Sequence, residues 1–369
     1  MYMAEAADRS DEPSTGAGTG SGGASPGAGG VAARRRGVPP DVVAFVRSEN
    51  LTRKSPVESV ARLVFTFAAV GALGAAAVAT SSWPLRIVLW VVSGLLFMGA
   101  VAGEHEAIHG NLFHSKLANE VAGFFCGALV LLYPWAAYRA SHFDHHRWTR
   151  APGDTEPVAV FRSVPEYLVF APIGSFYVWG YHWVITLRTM AGRPPAMIRT
   201  AHQRRLTILN GYFLLTIGVA VVAYAVVVDW RPVVIGWLAP ALVFGMFFAP
   251  MAALPEHYEL PYGPESPLVT SRSIRSNPIM RFAYWGTNFH ASHHLVSTVP
   301  SQRLHLLDDY LGDRRVIEPS YLGFHIGLLG RLHRKEVYPE PYWEHVTFWD
   351  DAPADGFDDS SVATGGTAG

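Results

Sequence analysis

Between a polar head and a polar tail, the chain alternates long apolar runs with short polar turns and with strings of histidine. Four runs, Leu63–Thr80, Ile87–Ala102, Leu206–Val228 and Val233–Leu254, match the ~20 apolar residues that a helix needs to cross a bilayer, the second by running on into the histidines after it. They pair into two hairpins, which turn at Ser81-Ser82-Trp83-Pro84 and at Asp229-Trp230-Arg231-Pro232. Trp suits the membrane interface there and Pro the first turn of a helix. Two further runs, Val121–Ala137 and Tyr167–Leu187, are ambiguous. Pro172, Gly174 and His182 interrupt the latter, so it reads as an interfacial or re-entrant helix, and the pair is expected not to cross. A six-span bundle in which both cross is the alternative.

Charge orients these runs, because cytoplasmic loops carry the Lys/Arg excess. Arg34, Arg35, Arg36, Arg47, Arg53, Lys54 and Arg62 precede the first run, and Arg188, Arg193, Arg199, Arg204 and Arg205 precede the third. Arg272, Arg275, Arg281, Arg303, Arg314 and Arg315 follow the fourth, whereas each hairpin turn offers a single Arg. All three basic regions, both termini included, are therefore expected on the cytoplasmic side. Residues 1–40, rich in Gly, Ala, Ser and Pro, lack the apolar material that offsets ordering entropy and read as a disordered head without a secretory signal. Residues 41–349 form the membrane domain, and residues 350–369 an acidic disordered tail.

Composition agrees with a membrane chain: 50% of the 369 residues are apolar and 16% charged, against roughly a quarter charged in soluble domains. A net charge of -1 gives no footprint for nucleic acid, and Cys126, alone, excludes a disulfide framework and a CxxC zinc site. Sixteen histidines are the unexplained excess.

Three clusters hold most of them: His105-Glu-Ala-Ile-His109, His142-Phe-Asp-His145-His146 and His290-Ala-Ser-His293-His294. Residues three and four apart share a helix face, so each cluster can aim two or three imidazoles at one point, which is metal-ligand spacing. His257 emerges from the end of the fourth run into the same layer. Nine clustered imidazoles would repel if protonated and cost desolvation if buried, and a divalent metal relieves both by requiring the neutral form. Imidazole suits zinc, iron, copper and nickel alike. The number of donors exceeds one tetrahedral zinc and suits two metals with four or five ligands each. The expected fold class is thus an all-α integral membrane protein, two transmembrane helical hairpins (four spans) with a cytoplasmic helical cap holding a histidine-rich di-metal site. His114, His182, His202, His305, His325, His333 and His345 have no cluster partner and read as surface or interfacial.

The first cluster is also a literal HExxH, in which Glu106 would serve as general base of a membrane zinc metalloprotease. That reading leaves both HxxHH clusters without a role.

One HxxxH followed by two HxxHH boxes, set against two membrane hairpins, resembles the membrane fatty acid desaturase and hydroxylase superfamily. Gly110-Asn111-Leu112-Phe113, Tyr133-Pro134-Trp135, Tyr138-Arg139, Glu256-His257-Tyr258-Glu259-Leu260-Pro261, Ser276-Asn277-Pro278, Asn288-Phe289-His290 and Val299-Pro300 are similar to its bacterial members. More distantly, they are similar to carotenoid oxygenases. The resemblance implies a non-haem di-iron centre held by His105, His109, His142, His145, His146, His257, His290, His293 and His294, with O2 as co-substrate. It implies desaturation or hydroxylation of an unactivated C–H position in a fatty acyl chain or similar lipid, presented as acyl lipid, acyl-CoA or acyl carrier protein. A carotenoid or specialised-metabolite hydroxylase of the same superfamily is the alternative. Ala253 stands where some relatives place an Asn, Ser292 where relatives often place a Glu, and no haem motif of a fused cytochrome appears. Electrons are therefore expected from a separate ferredoxin or similar donor with its reductase.

Metal-bound His normally donates its other ring nitrogen to a carboxylate or carbonyl, which makes Glu104, Glu106, Asp144, Asp154 and Glu256 candidates for that support. Asn288 would orient the third box or cap a helix. Arg272 and Arg275 are placed to meet an acidic head group or to serve as positive-inside residues.

Overall fold

The computed structural model describes residues 37–151, 153–156, 160–262 and 266–336; the expected head up to residue 36 and the acidic tail lie outside them. Eight helices lead to the end of the last apolar run: α1 (Pro40–Ser48), α2 (Pro56–Ala79), α3 (Trp83–Ile108), α4 (Lys116–Leu129), α5 (Trp135–Trp148), α6 (Val164–Met190), α7 (Ala201–Val227) and α8 (Pro232–His257). A polar layer of short elements follows: α9 (Pro267–Thr270), β1 (Arg272–Ile274), α10 (Pro278–Ala283), α11 (His290–Leu295), α12 (Ser301–Leu311), β2 (Val316–Glu318) and α13 (Tyr321–His333).

Local chemistry sets the helix starts. Ser82 accepts from the Leu85 amide with Pro84 in the first turn of α3, and Thr200 and Gln203 form a reciprocal capping box at α7. Prolines 240, 250 and 255 fall inside α8, where each removes an amide donor. The helix absorbs two of them by widening: Ala239 N–H reaches Val234 O and Ala249 N–H reaches Phe244 O, five residues back in each case. Helices α2 and α8 touch at Gly74, where a Cβ would collide with the Gly236 carbonyl.

Among the described residues, five helices are long and apolar enough to cross a membrane by length and composition: α2, α3, α6, α7 and α8. Four were expected, and α6 is the addition. The run Tyr167–Leu187 is one unbroken stretch of a 27-residue helix, because Pro172 costs it one internal hydrogen bond without ending it. The other ambiguous run, Val121–Ala137, is not one helix. It breaks after Leu129, Leu131 and Leu132 take φ of 53° and 56°, and α5 begins at Trp135. The 14 residues of α4 are too few to cross.

The polar layer is tied by a two-stranded parallel ladder pairing Arg272 with Val316, Ser273 with Ile317 and Ile274 with Glu318. Beneath it Asp308 is buried and accepts from Ser273 Oγ (2.6 Å), Ser292 Oγ (2.7 Å) and Arg315 Nε (2.6 Å). Helix α1 closes the layer, packing Val42 and Val46 with Leu304, Leu307 and Leu311 of α12. Phe45 stacks on Tyr310 at 3.9 Å between ring centres.

Candidate metal centre

The nine box and span-end histidines converge as two groups. His105, His109, His142, His146 and His293 form one, and His145, His257, His290 and His294 the other. In each, one ligand atom per residue lies within 4.8 Å of all the others. The division follows from helix geometry. At 100° per residue, positions i and i+4 of a box are only ~40° apart, whereas i+3 falls on the far side of i. Helix α5 accordingly gives His142 and His146 to the first group and His145 to the second, and α11 gives His290 and His294 to the second and His293 to the first. The end of α3 completes the first group and the end of α8 the second.

Outer partners fix which nitrogen of several rings carries the proton. His142 Nδ1 lies 2.7 Å from Glu156 Oε1, His145 Nδ1 2.7 Å from Asp154 Oδ1, and His257 Nδ1 2.8 Å from the Thr270 carbonyl. These acceptors require an N–H at Nδ1. Thr149 Oγ1 gives its proton to His145 O at 2.6 Å, so at 3.2 Å it accepts from His294 Nδ1. All four rings are left with a lone pair at Nε2.

Two inward lone pairs then face one another with no proton between them, His145 Nε2 lying 3.2 Å from His257 Nε2, and His290 Nε2 approaches the same His257 Nε2 at 2.9 Å. His294 Nε2 is buried without a hydrogen-bond partner. Opposed buried lone pairs are costly unless a cation sits among them. The donor set of neutral imidazoles therefore fits a divalent transition-metal ion. Burial, and then the neighbouring imidazoles, hold His146, His290, His293 and His294 well below the ordinary histidine value, so they are neutral at pH 7 as a metal requires. Burial raises the Glu156 carboxyl, but its interactions with His145 and His142, among them the hydrogen bond from His142 Nδ1–H, outweigh it and hold the group well below the usual carboxylate range.

The remaining candidates divide. Glu106 Oε2 accepts the Ser301 amide at 2.9 Å, and its Oε1 stands 3.9 Å from His105 Nδ1. Glu256 Oε1 is 3.5 Å from His290 Nδ1 and equally far from the Tyr284 hydroxyl. Asp144, although inside the second box, faces away and takes two hydrogen bonds from Arg199 at 2.6 and 2.8 Å. Asn288 does not cap α11. Its Nδ2 donates to Ile274 O at 2.7 Å while its own carbonyl accepts from the Ile274 amide, clipping the third box to β1. Glu104 is buried, and its Oε1 has no hydrogen-bond partner among the described residues. Arg272 is buried too, donating to Pro255 O and Tyr258 O over the Phe324 ring, and burial pushes its guanidinium down to about 10.

Glu156, Thr149, Thr270 and Asp308 were not legible as site residues. Glu156 follows Asp154 by two positions, and a carboxylate pair just after an HxxHH box was the available signal. Two histidines expected at the surface or the membrane interface are buried. His182 bonds Ser141 Oγ (2.7 Å) and Tyr133 Oη (2.9 Å), and His325 bonds Tyr167 Oη (2.7 Å) and Met251 O (2.9 Å). His114, His202, His305 and His333 are exposed, and His345 lies outside the described residues.

Residues 81–326, more than half of the chain, match the family model described as fatty acid desaturase. A 112-residue segment is 36% identical to a probable fatty acid desaturase, DES1, of Sorghum bicolor, and covers 30% of this chain and 29% of that protein. The chain thus spans under a third of that relative's length.

Proposed function

The chain belongs to the fatty acid desaturase family, and from that premise we propose that it is an O2-dependent di-iron oxidoreductase that desaturates a fatty acyl chain at the cytoplasmic face of a membrane. The observation that carries this reading is the opposition of the His145, His257 and His290 Nε2 atoms, with the Nδ1 of the first two tied outward. Two iron ions, held by the five- and four-histidine groups, would supply the activation of O2 and the removal of hydrogen from an unactivated methylene. The chain's own residues prepare for this. Asp154, Glu156, Thr149 and the Thr270 carbonyl hold the ring orientations, and burial of the donors excludes water.

The zinc-protease reading is less well supported. His105 and His109 share their group with three further imidazoles, and Glu106 is already occupied by the Ser301 amide. The same contacts support a four-span topology. His145 precedes α6 and His257 ends α8, and their rings touch, so an even number of crossings separates them. With α7 and α8 crossing, α6 does not; it is the least apolar of the five long helices. We assign it to the interface, which leaves four spans and puts both termini on one side. Acyl lipid, acyl-CoA or acyl carrier protein would bring the substrate, and a ferredoxin-type donor with its reductase the electrons.

Metal analysis of detergent-purified protein tests the centre: about two irons per chain are expected, and a single zinc overturns the reading. Mass spectrometry of lipid extracts from cells with and without the protein tests the reaction. Acyl chains lighter by two hydrogens support desaturation, chains heavier by one oxygen hydroxylation, and a changed pigment the carotenoid alternative.

A further inference from the structure

We propose that a basic cleft on the polar layer, lined by His305 but by none of the nine metal-site histidines, binds the phosphodiester head group of an anionic membrane phospholipid. The cleft encloses about 570 Å³, and its walls include Arg62, Arg275, Arg281, Phe282, Trp285 and Asp309. That volume is within the roughly 300–1,000 Å³ of small-molecule sites.

Its charge is cationic once internal pairs are removed. Arg62 is committed to Glu58 (2.7 and 3.0 Å) and to the Trp285 carbonyl (3.2 Å). Asp308, at the base, is neutralised by Arg315. Among the described residues Arg281 donates a hydrogen bond only through its Nε, to the Arg275 carbonyl at 2.8 Å, and its guanidinium lies 5.7 Å from the centre of the Phe289 ring. The Arg275 side chain is exposed and makes no hydrogen bond or ion pair among the described residues. Two guanidinium groups therefore offer free N–H forks against one exposed carboxylate, Asp309, and planar forks match phosphate oxygens in pairs.

The occupant follows from what adjoins the cleft. Helix α10 turns Ile279 (67% exposed) and Phe282 (60% exposed) outward. The Phe282 ring meets Phe65 of α2 edge-on at 5.3 Å, and Phe65 is itself 46% exposed on a helix apolar enough to cross a membrane. Cationic cleft and lipid-facing apolar surface are thus continuous. A molecule with phosphate at one end and acyl chains at the other fills both, whereas free phosphate fills only the first. Neither the metal nor the reaction enters this argument.

Native mass spectrometry of protein equilibrated with equal amounts of phosphatidylglycerol and phosphatidylcholine is the test. The wild type should retain one phosphatidylglycerol in preference. Arg275→Gln with Arg281→Gln should lose that preference by about fivefold per arginine, at an unchanged melting temperature. If the double variant fails to fold, Arg275→Glu, on an exposed side chain, tests the same point alone. Millimolar inorganic phosphate should not displace the lipid. Equal retention of both lipids by the wild type, an unchanged preference in the variants, or full displacement by phosphate would each overturn the proposal, the last by assigning the cleft to free phosphate.

Discussion

The two histidine groups differ in how they are held. In the four-histidine group the outer nitrogens of three rings donate to Asp154, the Thr270 carbonyl and Thr149, and His290 Nδ1 stands 3.5 Å from Glu256. In the five-histidine group only His142 has such a support among the described residues, from Glu156. His105 Nδ1 and His293 Nδ1 are buried without hydrogen-bond partners among those residues. One group has few donors set in fixed orientations, and the other has an additional donor but rings held chiefly by packing. A metal ion loses less ordering entropy at the first, and gains one more bond at the second. The two sites should therefore answer differently to the same kind of damage.

The largest effect separates them directly. Replacing a ligand in either group should reduce turnover by more than the ~100-fold that outer partners are worth. His294→Ala leaves three imidazoles and should release one metal ion on desalting. His293→Ala leaves four and should retain a larger share of its metal. Equal losses, measured by metal analysis, would show that the extra donor makes no difference.

Next come the outer carboxylates. Asp154→Asn and Glu156→Gln should each lower metal affinity by roughly 10–100-fold, read as resistance to a chelator. Asp154 should cost more, because it also accepts the Arg150 and Glu156 amides at 2.8 and 3.0 Å and so shapes the loop that carries both carboxylates. The reverse order would place the greater dependence in the five-histidine group.

Acid should affect both groups together. His146, His290, His293 and His294 are held below 6.5 in the folded chain, so the unfolded chain binds more protons as pH falls past that value. The stability these four contribute is present above pH ~6.5 and is lost on acidification below it. The melting temperature of chelator-treated protein should be flat above pH 7 and fall between pH 6.5 and 5. Bound iron should raise it and move the fall to lower pH, since metal competes with protons for the same lone pairs.

What the sequence made legible follows from the range of each interaction. Helix periodicity is local, so α2, α3, α7 and α8 and the faces of the three boxes could be read from residue spacing. The family resemblance that the boxes carried is the one the comparison found. That i and i+4 of a box part from i+3 is also local, but which side of one box shares a group with which side of the other could not be read, because it depends on how α5 and α11 face each other across 147 positions, as His146 and His293 do at 3.0 Å. His182 failed for the same reason: a histidine on an apolar face looks interfacial until Ser141 and Tyr133 are brought to its two nitrogens. The length of α6 is hidden for a different reason, since Pro172 reads as a break in the sequence whereas a long helix tolerates one lost hydrogen bond.

Ser292 gives the smallest effect, and it tests whether the shared helix α11 transmits the difference between the groups. The chain brings a carboxylate to it from α12, with Ser292 Oγ–H donating to Asp308 at 2.7 Å. Asp308 keeps Ser273 and Arg315 when Ser292→Ala removes that bond, so no charge is left unpaired. The cost should be about 1 kcal/mol, the net worth of one buried hydrogen bond, seen as a drop of a few degrees in melting temperature. Because α11 is also clipped to β1 by Asn288, both groups should keep their iron. Loss of iron from the five-histidine group alone would mean that its unsupported His293 ring takes its orientation from the position of α11, and that Asp308 acts on the metal centre through the helix it anchors.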